Sequence, residues 1–596
     1  MQPANWWTSM KMNNIELLFQ GQNIANATIE LFQYDKKTTS ISTRITSVEP
    51  AKNKDFVYVS IGISANQMPE TLYFKITPVD AKKGTFVAFP ILENNSYSPT
   101  GLDQSDNMYL LFPDRFSNGD PSNDNNPAMN EPNADRTGIK LRHGGDIKGI
   151  ENRIDYIKNL GITALWINPL LENDQKKESY HGYAATDSYL IDRRFGTNED
   201  FKNLTQKCHE NGIKMVWDVV YNHWGLEHKL FKALPDSNWF HWSKEFVRTN
   251  YRAETLMDPY ASDIDRNTML NGWFDNHMPD LNQQDPHLAK YLIQNSIWWI
   301  EYSGIDAFRI DTYSYPDQKF MSDLNTAIKK EYPHFLLFGE TWVQGSPIQA
   351  WYTENNGLNK SFNSNLDGVT DFQLYFAITK GLNENFGWEE GLRRIELTLS
   401  HDFLYEKPSR NVTFLDNHDL SRFYSVINED FAKWKIANTM LFTLRGIPCI
   451  YYGHEFLMKN YANPDALVRE DFPGGWAGDS INKFDSKNLE GKELEAFLFV
   501  QRMMQWRNEN KWLKDANLKQ FVPEDNTYIY FRYDEKNAVM VVHNLNDESK
   551  EIKLSRFAES LHDYALGVDI ISGQAIVLKE NLEIAPKSSL VLQLTR

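Results

Sequence analysis

The sequence predicts a multidomain protein in which a (β/α)₈ barrel is flanked by an N-terminal and a C-terminal β-sandwich. The chain has 596 residues, well beyond the ~250–300 at which a single hydrophobic core stops growing. Short strands of alternating polarity occur near both ends, whereas the middle alternates apolar strands with amphipathic helices. That alternation is typical of a parallel sheet covered by helices.

The terminal parts contain the strand patterns of small sandwiches. Residues 1–103 include "ATIELFQY" and "DFVYVSIGIS", separated by Asn, Lys and Gly. Residues 516–596 include "TYIYFRY", "AVMVVHNL" and "SLVLQL". Apolar and polar residues that alternate in short runs indicate strands with one buried face.

The barrel is expected over residues 104–515. Its candidate strands are "MYLLF", "ITALWINPL", "IKMVWDVV", "IDAFRID", "FLLFGE", a weakly defined sixth near "VTDFQLYFA", "NVTFLDNHD" and "IPCIYYG". Thr197 and Asp200 have the spacing of a capping box at the start of a helix. Residues 224–279, after the third strand, are too long for an ordinary loop, so we expect a small inserted domain B above the active face.

Composition excludes several classes of partner. A net charge of −18 repels nucleic acid and anionic lipid. No run of 18 apolar residues is present, so no membrane span is expected. The two cysteines, Cys208 and Cys449, are far apart and are expected to be buried free thiols. The start "MQPANWW" lacks the regions of a signal peptide, which indicates a cytoplasmic protein or one whose signal has been removed.

The stretch "GIDAFRIDTYSY" carries a charge pair inside an apolar strand. Arg309 and Asp311 are two positions apart, so their side chains point to the same face of the strand. A charge pair in a sheet interior is unfavourable unless it is paired or functional. At this point a structural ion pair and a catalytic carboxylate are both open.

Further polar residues occur at the carboxyl ends of the candidate strands, where barrel active sites lie. The candidates are Asp218, Asn222, His223, Asp311, Glu340, His418 and Asp419. Crowded carboxylates repel one another and need a cause, either a metal cluster or glycoside hydrolysis. A hydrolytic metal site usually contains closely spaced histidines, as in H-E-x-x-H, and no such motif occurs. Glycoside hydrolysis, which needs one ionised and one protonated carboxyl group, is therefore favoured.

Four stretches then identify a family resemblance. "DVVYNH", "GIDAFRID", "GETW" and "FLDNHD", in this order, resemble the signature regions of glycoside hydrolase family 13, the α-amylase family. "NWWTSMKMNNIELLFQGQNI", "HMPDLN" and "VREDFPGGW" are similar to regions of its neopullulanase- and cyclomaltodextrinase-like members, including the periplasmic neopullulanases of starch-utilisation systems. The resemblance therefore implies starch degradation in the periplasm, although a cytoplasmic location is possible.

The resemblance also implies a role for each site residue. Asp311 would be the nucleophile, kept ionised by Arg309, Glu340 the general acid and base, and Asp419 a third acid that binds sugar hydroxyls. The remaining implied substrate-binding residues are His223, His418, His181, Tyr183, Trp342, Asp465 and Arg469. A retaining double displacement would place the carboxyl groups of Asp311 and Glu340 about 5–5.5 Å apart.

A second polar cluster combines "NGDPSND" with "GGD". Its alternating side-chain oxygens suit Ca²⁺, but an Asx-rich turn satisfied by its own backbone gives the same pattern. The stretch resembles the calcium loop of neopullulanase-like relatives, which implies a structural Ca²⁺ ion. The implied ligands are Asn118, Asp120, Asn123, Asp124, Gly144 and Asp146.

The expected substrate is an α-glucan oligosaccharide: a maltooligosaccharide, pullulan, cyclodextrin or starch, cleaved at α-1,4 and to some extent at α-1,6 bonds. A transglycosylase or isomerase on the same scaffold is an alternative, and a non-catalytic glycan-binding barrel is a more distant one. The chain departs from common family patterns at Asp280 in "MPDLN", at His454 in "YYGHE" and in the run Thr312 to Tyr315. A homodimer is possible, because such relatives often dimerise through the N-terminal sandwich.

Overall fold

A computed structural model describes residues 1–94, 97–358 and 362–595. The N-terminal part forms a sandwich of two sheets, as predicted, with strand orders β1-β7-β6-β3 and β2-β5-β4. The ring centroids of Phe19 and Phe74, one from each sheet, lie 5.1 Å apart in its core. The strands are β1 Trp6–Trp7, β2 Asn14–Gln20, β3 Thr28–Phe32, β4 Thr43–Pro50, β5 Phe56–Ile63, β6 Glu70–Thr77 and β7 Thr85–Leu92.

The central part is the predicted parallel barrel. The eight-stranded sheet has the order β13-β12-β11-β10-β9-β8-β15-β14 within the described residues. A parallel bridge between Thr370 and Val412 joins its two ends, so the barrel is nearly closed. The strands are β8 Met108–Leu111, β9 Ala164–Ile167, β10 Lys214–Val220, β11 Ala307–Asp311, β12 Leu336–Gly339, β13 Gly368–Val369, β14 Val412–Phe414 and β15 Ile447–Tyr451.

The sixth strand is much shorter than "VTDFQLYFA" suggests. Only Val369 of that stretch belongs to β13, and Phe372 begins a helix. The carboxylate of Asp371 accepts a hydrogen bond from the backbone N–H of Leu374, which caps the helix. A short apolar run cannot be distinguished from a buried helix by periodicity alone, so the sixth strand was predicted to extend into the helix.

Helices surround the barrel and connect its strands. The predicted capping box is present, since Thr197 and Asp200 exchange side-chain and backbone hydrogen bonds at the start of α4. The long helix α7 begins at Pro286 after the Asp285 cap and ends before Gly304, whose φ of +75° suits glycine. The barrel helices are α1 Pro113–Phe116, α2 Ile147–Glu151, α3 Ile154–Leu160, α4 Asn198–Glu210, α5 Lys229–Lys232, α6 Asp263–Asn271, α7 Pro286–Ser303, α8 Gln318–Glu331, α9 Ser346–Trp351, α10 Phe372–Asn383, α11 Arg393–Ser400, α12 Phe423–Val426, α13 Phe431–Thr443 and α14 Gly491–Glu509.

The long segment after β10 contains α5, α6 and irregular chain. Trp224 and Trp239 are buried in it and pack against Tyr291 of α7, with ring centroids 5.8 and 5.7 Å away. Its last residues lie at the carboxyl end of the barrel, beside the cavity described below. The exact limits of an inserted domain at 224–279 stay a prediction.

The C-terminal part is again built of antiparallel strands. One sheet has the order β16-β17-β18-β23-β20-β21, and β19 pairs with β22. The elements are β16 Asn517–Gln520, β17 Thr527–Tyr533, β18 Ala538–Asn544, β19 Lys550–Lys553, α15 Ala558–Leu561, β20 Leu566–Asp569, β21 Ala575–Val577, β22 Asn581–Ile584 and β23 Ser588–Thr595. Cys208 and Cys449 are buried free thiols, as expected. In the described part of the chain, no helix is long and apolar enough to cross a membrane.

Candidate active site

A cavity of about 480 Å³ opens at the carboxyl end of the barrel. Strand geometry places the acids there, because Asp311 is the last residue of β11 and Glu340 directly follows β12. Asp419 lies in the loop after β14 and His223 in the loop after β10. Of the predicted site residues, these line the cavity: His181, Tyr183, His223, Asp311, Glu340, Trp342, Asp419, Asp465 and Arg469.

Arg309 lies beneath the cavity and joins three carboxylates. Its Nη1 is 2.7 Å from Asp311 Oδ1 and 2.8 Å from Asp218 Oδ1. Its Nη2 is 2.8 Å from Glu340 Oε1. Arg309 is only 1% exposed, so one buried guanidinium partly neutralises three buried acids. The same-face argument for Arg309 and Asp311 agrees with this contact, whereas Asp218 was predicted only to lie among the polar residues of this rim, and its contact with Arg309 was not predicted.

The two acids nearest the cavity centre hold their protons unusually well. Burial raises the pKa of Asp311 to about 7, and Asp218 and Asp419 add to the rise, while Arg309 opposes it. Burial also raises the pKa of Glu340 to about 7, again against the effect of Arg309. Arg309 therefore acts in the direction expected from the sequence, but burial outweighs it. Because burial raises both pKa values, one of the two acids can hold a proton near neutral pH while the other is ionised, which suits a site that needs one acid and one carboxylate.

A backbone contact fixes the geometry of this pair. The N–H of Thr312 donates a hydrogen bond of 3.0 Å to Glu340 Oε2, and the Thr312 hydroxyl lies 3.2 Å from Asp311 Oδ2. Thr312 has a φ of +44°, in the left-handed region that non-glycine residues rarely adopt. This unusual backbone conformation directs both groups of Thr312 at the two acids.

Asp419 has a different environment. Its Oδ1 is 2.8 Å from Arg469 Nη2 and its Oδ2 is 3.1 Å from His418 Nε2. Burial alone would raise the pKa of Asp419, but His418 and Arg469 hold it below its usual value. Asp419 is therefore ionised at neutral pH, beside the pair of acids with raised pKa values. Arg469 also contacts Asp465 at 2.6 Å, so Asp465 and Arg469 lie on the same side of the cavity as Asp419.

The aromatic floor of the cavity is held by hydrogen bonds. Tyr183 Oη lies 3.0 Å from Asp218 Oδ2 and 2.7 Å from His418 Nε2, which fixes the ring in place. Burial lowers the pKa of His418 to about 3 and the pKa of His223 to about 3, so both imidazoles are neutral. The Nε2 atom of His223 has no hydrogen-bond partner among the described residues. Trp342 is half-exposed and stacks on Phe372 with ring centroids 5.1 Å apart.

Several cavity residues were not predicted from the sequence. They are Lys140, Glu178, Tyr180, Phe274, Asp275, His277, Met278, Thr312, Ser314 and Tyr315. Most of them lie on long irregular loops, where no periodic pattern indicates which side chains point inward. Tyr180 was adjacent to a predicted pair in "YHGY", which is the only signal that could have found it.

The candidate calcium loop partly fits a hard cation. The side-chain oxygens of Asn118 and Asn123 are buried and have no hydrogen-bond partner among the described residues. Burial raises the pKa of Asp124 to about 6, and the nearby Asp146 adds to the rise. Gly144 has a φ of +87°, and a Cβ there would lie 2.5 Å from Asp124 Oδ1. The loop thus packs acceptor oxygens together and leaves some of them unpaired, which a cation would relieve.

Other contacts in this loop favour a self-contained turn. Both oxygens of Asp146 accept backbone N–H groups, from Gly119, Asp120 and Gly149. Asp120 accepts the N–H and hydroxyl of Ser122. Across the described residues, no group of three acidic, histidine or cysteine side chains could hold a metal ion. A cation here would depend on amide and backbone oxygens as well as Asp124.

Comparison with known proteins finds matches to family models along nearly the whole chain. The model of the α-amylase catalytic domain matches residues 110–531. Models of the cyclomaltodextrinase N-terminal and C-terminal domains match residues 1–93 and 518–593. The chain is 28% identical over 538 residues to a cyclomaltodextrinase of Thermoanaerobacter pseudethanolicus, covering 88% of this chain and 83% of that protein.

Solved structures show the same architecture. An Anoxybacillus α-amylase superposes with a TM-score of 0.68 at 25% identity, covering 82% of this chain and 98% of that one. A cyclomaltodextrin glucanotransferase with a three-domain ABC distribution superposes with a TM-score of 0.66 at 27% identity, covering 82% and 99%.

Proposed function

The chain belongs to the α-amylase family, and on that premise we propose that it cleaves α-1,4 glucosidic bonds by a retaining double displacement. It is a glycoside hydrolase that acts on α-glucans, as its cyclomaltodextrinase and α-amylase relatives indicate. The observation that carries the mechanism is the joint contact of Arg309 with Asp311 and Glu340, two buried carboxyl groups with raised pKa values.

In the first step, Asp311 attacks the anomeric carbon while Glu340 gives its proton to the departing glycosidic oxygen. The bond between the anomeric carbon and the glycosidic oxygen breaks, and a bond between Asp311 and the anomeric carbon forms. In the second step, Glu340 takes a proton from water, which attacks the same carbon and releases Asp311. The first step needs a protonated Glu340 and an ionised Asp311, and the second step needs an ionised Glu340; the raised pKa of Glu340 lets it hold its proton before the first step.

The neighbouring residues would bind the reacting sugar. Asp419, ionised beside Arg469, would accept hydrogen bonds from two hydroxyl groups and favour the distorted ring of the transition state. The ring of Tyr183 would stack against the apolar face of the sugar. His223 has an unpaired Nε2 atom that a sugar hydroxyl could satisfy after a small movement of the ring.

Substitution of the proposed nucleophile tests the mechanism. Asp311→Asn should lower kcat by at least about 10⁴-fold while binding of a maltooligosaccharide largely survives. Asp306→Asn is a matched control, because Asp306 precedes the same strand at its opposite end and bonds Tyr97 and His209. NMR of the first product should show retention of the α-anomer. An inverted product, or activity left within tenfold in Asp311→Asn, would reject the proposal.

Linkage preference is tested with pullulan. Panose or isopanose as product would indicate cleavage at one of the two α-1,4 positions, whereas maltotriose would indicate α-1,6 cleavage. We expect panose or isopanose to dominate with pullulan, and α-1,4 bonds to be cleaved also in maltooligosaccharides, cyclodextrins and starch.

Transfer to a sugar is the second outcome of the same intermediate. The likeness to a cyclomaltodextrin glucanotransferase gives it limited support. Products longer than the substrate at high maltotriose concentration would reveal transfer, since hydrolysis can only shorten the chain.

We also propose a structural Ca²⁺ ion in the loop that contains Asn118, Asn123 and Asp124, completed by Asp120, Gly144 and Asp146. The unpaired amide oxygens and the raised pKa of Asp124 support this proposal. Such an ion would stabilise the loop and would have a purely structural role, away from the reacting groups.

The homodimer and the periplasmic location stay predictions. Light scattering across a concentration series would test the first. Cell fractionation followed by an amylase assay of each fraction would test the second, together with a role in starch degradation.

A further inference from the structure

Two charged residues at the cavity rim pair with each other. Lys140 and Glu178 both line the cavity, and Lys140 Nζ lies 3.0 Å from Glu178 Oε1. Both side chains are close to half-exposed, at 45% and 43%. They belong to different loops, one after β8 and one after β9.

Each loop is firmly held behind this pair. On the Lys140 loop, Arg136 contacts Asp471 at 2.7 Å and Asp479 at 2.8 Å. Its guanidinium also lies 4.2 Å from the ring centroid of Trp476. The N–H groups of Glu178 and Ser179 donate hydrogen bonds of 3.2 and 2.6 Å to Glu131, which lies on the Lys140 loop and so joins the two loops. The Lys140–Glu178 pair is therefore the exposed side-chain contact between two loops that are already held together.

The pair lies on the side of the cavity that carries a series of charges starting at the third acid. Asp419 contacts Arg469 at 2.8 Å, and Arg469 contacts Asp465 at 2.6 Å. Arg469 Nη1 also lies 3.2 Å from Tyr180 Oη, two residues after Glu178.

The Lys140 side of the pair is tied to the same place. The guanidinium of Arg115 donates hydrogen bonds to the carbonyl of Arg469 and to the carbonyls of Ile139 and Leu141, on either side of Lys140. The Lys140–Glu178 pair is therefore next to the Asp419, Arg469 and Asp465 series, at the rim of the cavity.

The direction of this series can be read from the chemistry. Glu340 protonates the oxygen of the leaving sugar, so the leaving side adjoins Glu340 and Trp342, two residues further along the same loop. Asp419 binds the sugar that reacts with Asp311. The charge series beyond Asp419 therefore follows the opposite part of the substrate, toward its non-reducing end.

We propose that the Lys140–Glu178 pair closes the cavity at its non-reducing end and limits the number of glucose units that bind there. Lys140 is then a specificity-determining residue, and the enzyme releases a short product of one dominant length from the non-reducing end of a linear chain. This inference rests on the proposed function.

The Lys140–Glu178 ion pair closes the cavity only weakly, because both side chains are exposed. An exposed ion pair is stabilised little and is screened by salt. Longer chains would therefore enter when the pair opens, and salt should make opening more frequent. A mere surface ion pair with no role would leave product length unchanged under the same conditions.

The experiment uses linear maltoheptaose labelled at its reducing end, with products separated by chromatography. Lys140→Met and Glu178→Gln each remove one charge and keep the side-chain length. Lys148→Met is the control, because Lys148 pairs with Glu151 at 2.9 Å on the surface away from the cavity. Thermal melts of all variants would show that each is folded.

We expect the wild type and Lys148→Met to release one dominant short product. In Lys140→Met and Glu178→Gln, the share of longer unlabelled products should rise at least fivefold. The ratio of kcat/KM for maltoheptaose to that for maltotriose should rise similarly. Addition of 0.5 M NaCl should raise the long products about twofold in the wild type and leave Lys140→Met unchanged.

Two outcomes would overturn the inference. Identical product lengths in the wild type, Lys140→Met and Glu178→Gln would remove it while the proposed function stands. A wild type that hydrolyses no linear α-glucan would reject the proposed function, and the inference with it.

Discussion

Replacement of Arg309 gives the most direct test of how the catalytic acids are held. In Arg309→Lys the charge remains, but an ammonium group cannot reproduce the planar fork that contacts Asp218, Asp311 and Glu340. In Arg309→Met the three acids lose their shared cation altogether. Both changes should raise the pKa values of the acids, because Arg309 is the cation that opposes burial at Asp311 and Glu340.

The expected magnitude follows from the contacts. Each lost hydrogen bond to a charged group contributes about 1.5–3 kcal/mol. Loss of one contact on the reacting pair in Arg309→Lys corresponds to about 10–10²-fold in kcat/KM. Removal of a buried partner, as in Arg309→Met, destabilises by about 3–5 kcal/mol. Protonation of Asp311 at neutral pH in that variant should lower kcat by a further factor, to at least about 10⁴-fold overall.

The assay is a pH series of kcat/KM on maltotriose, with thermal melts at each pH. We expect both limbs of the Arg309→Lys profile to move to higher pH, by about one unit. Arg507→Lys is the matched control: Arg507 is also buried, but it bonds Asn107 and the carbonyl of Phe442, remote from the cavity. The reasoning is refuted if Arg309→Lys keeps kcat/KM within threefold and the position of both limbs.

Three further predictions follow from the same site and the polar loop. Because the pKa of Glu340 is raised to about 7, kcat/KM of the wild type should fall above about pH 7 as Glu340 loses its proton, measured with a neutral oligosaccharide. The same raised pKa means that ionised Glu340 destabilises the fold as pH rises from about 4.5 through 7, so Glu340→Gln should raise the melting temperature at pH 8 and not at pH 4; an equal gain at both would contradict this. If the loop holds Ca²⁺, EDTA should lower the melting temperature of the wild type, added Ca²⁺ should restore it, and Asp124→Asn should abolish most of the shift; no shift with EDTA would favour the self-contained turn.

Much of the fold and most of the site could be predicted because the signals are local. A strand such as "GIDAFRID" carries both its burial pattern and the same-face relation of Arg309 and Asp311. The rule that polar residues at the carboxyl ends of barrel strands meet at one rim then brings Glu340 and Asp419 to the same cavity. The family resemblance adds the order of the motifs, and the model of the catalytic domain matches the same region.

The remainder depends on register and on loop conformation, which no local pattern fixes. Asp218 pairs with Arg309 because β10 and β11 align these two residues, and the sequence alone does not give that register. The sixth strand was predicted too long because Asp371 caps a helix where an apolar run suggested an extended strand. Lys140 and Glu178 meet only through two long loops whose shape is set by contacts such as Arg136 with Asp471.

The raised pKa values of Asp311 and Glu340 also explain why the guanidinium of Arg309 lies beneath these acids rather than beside the substrate. A carboxylate buried without a partner would bind its proton too tightly to act as a nucleophile near neutral pH. A cation that contacted Asp311 alone would lower the pKa of Asp311 but would not oppose the effect of burial on the pKa of Glu340. Because one guanidinium contacts both acids, and Asp218 takes part of its charge, neither acid dominates. Asp311 can then act as the nucleophile while Glu340 first gives and later takes the proton, and Asp419 remains ionised beside Arg469.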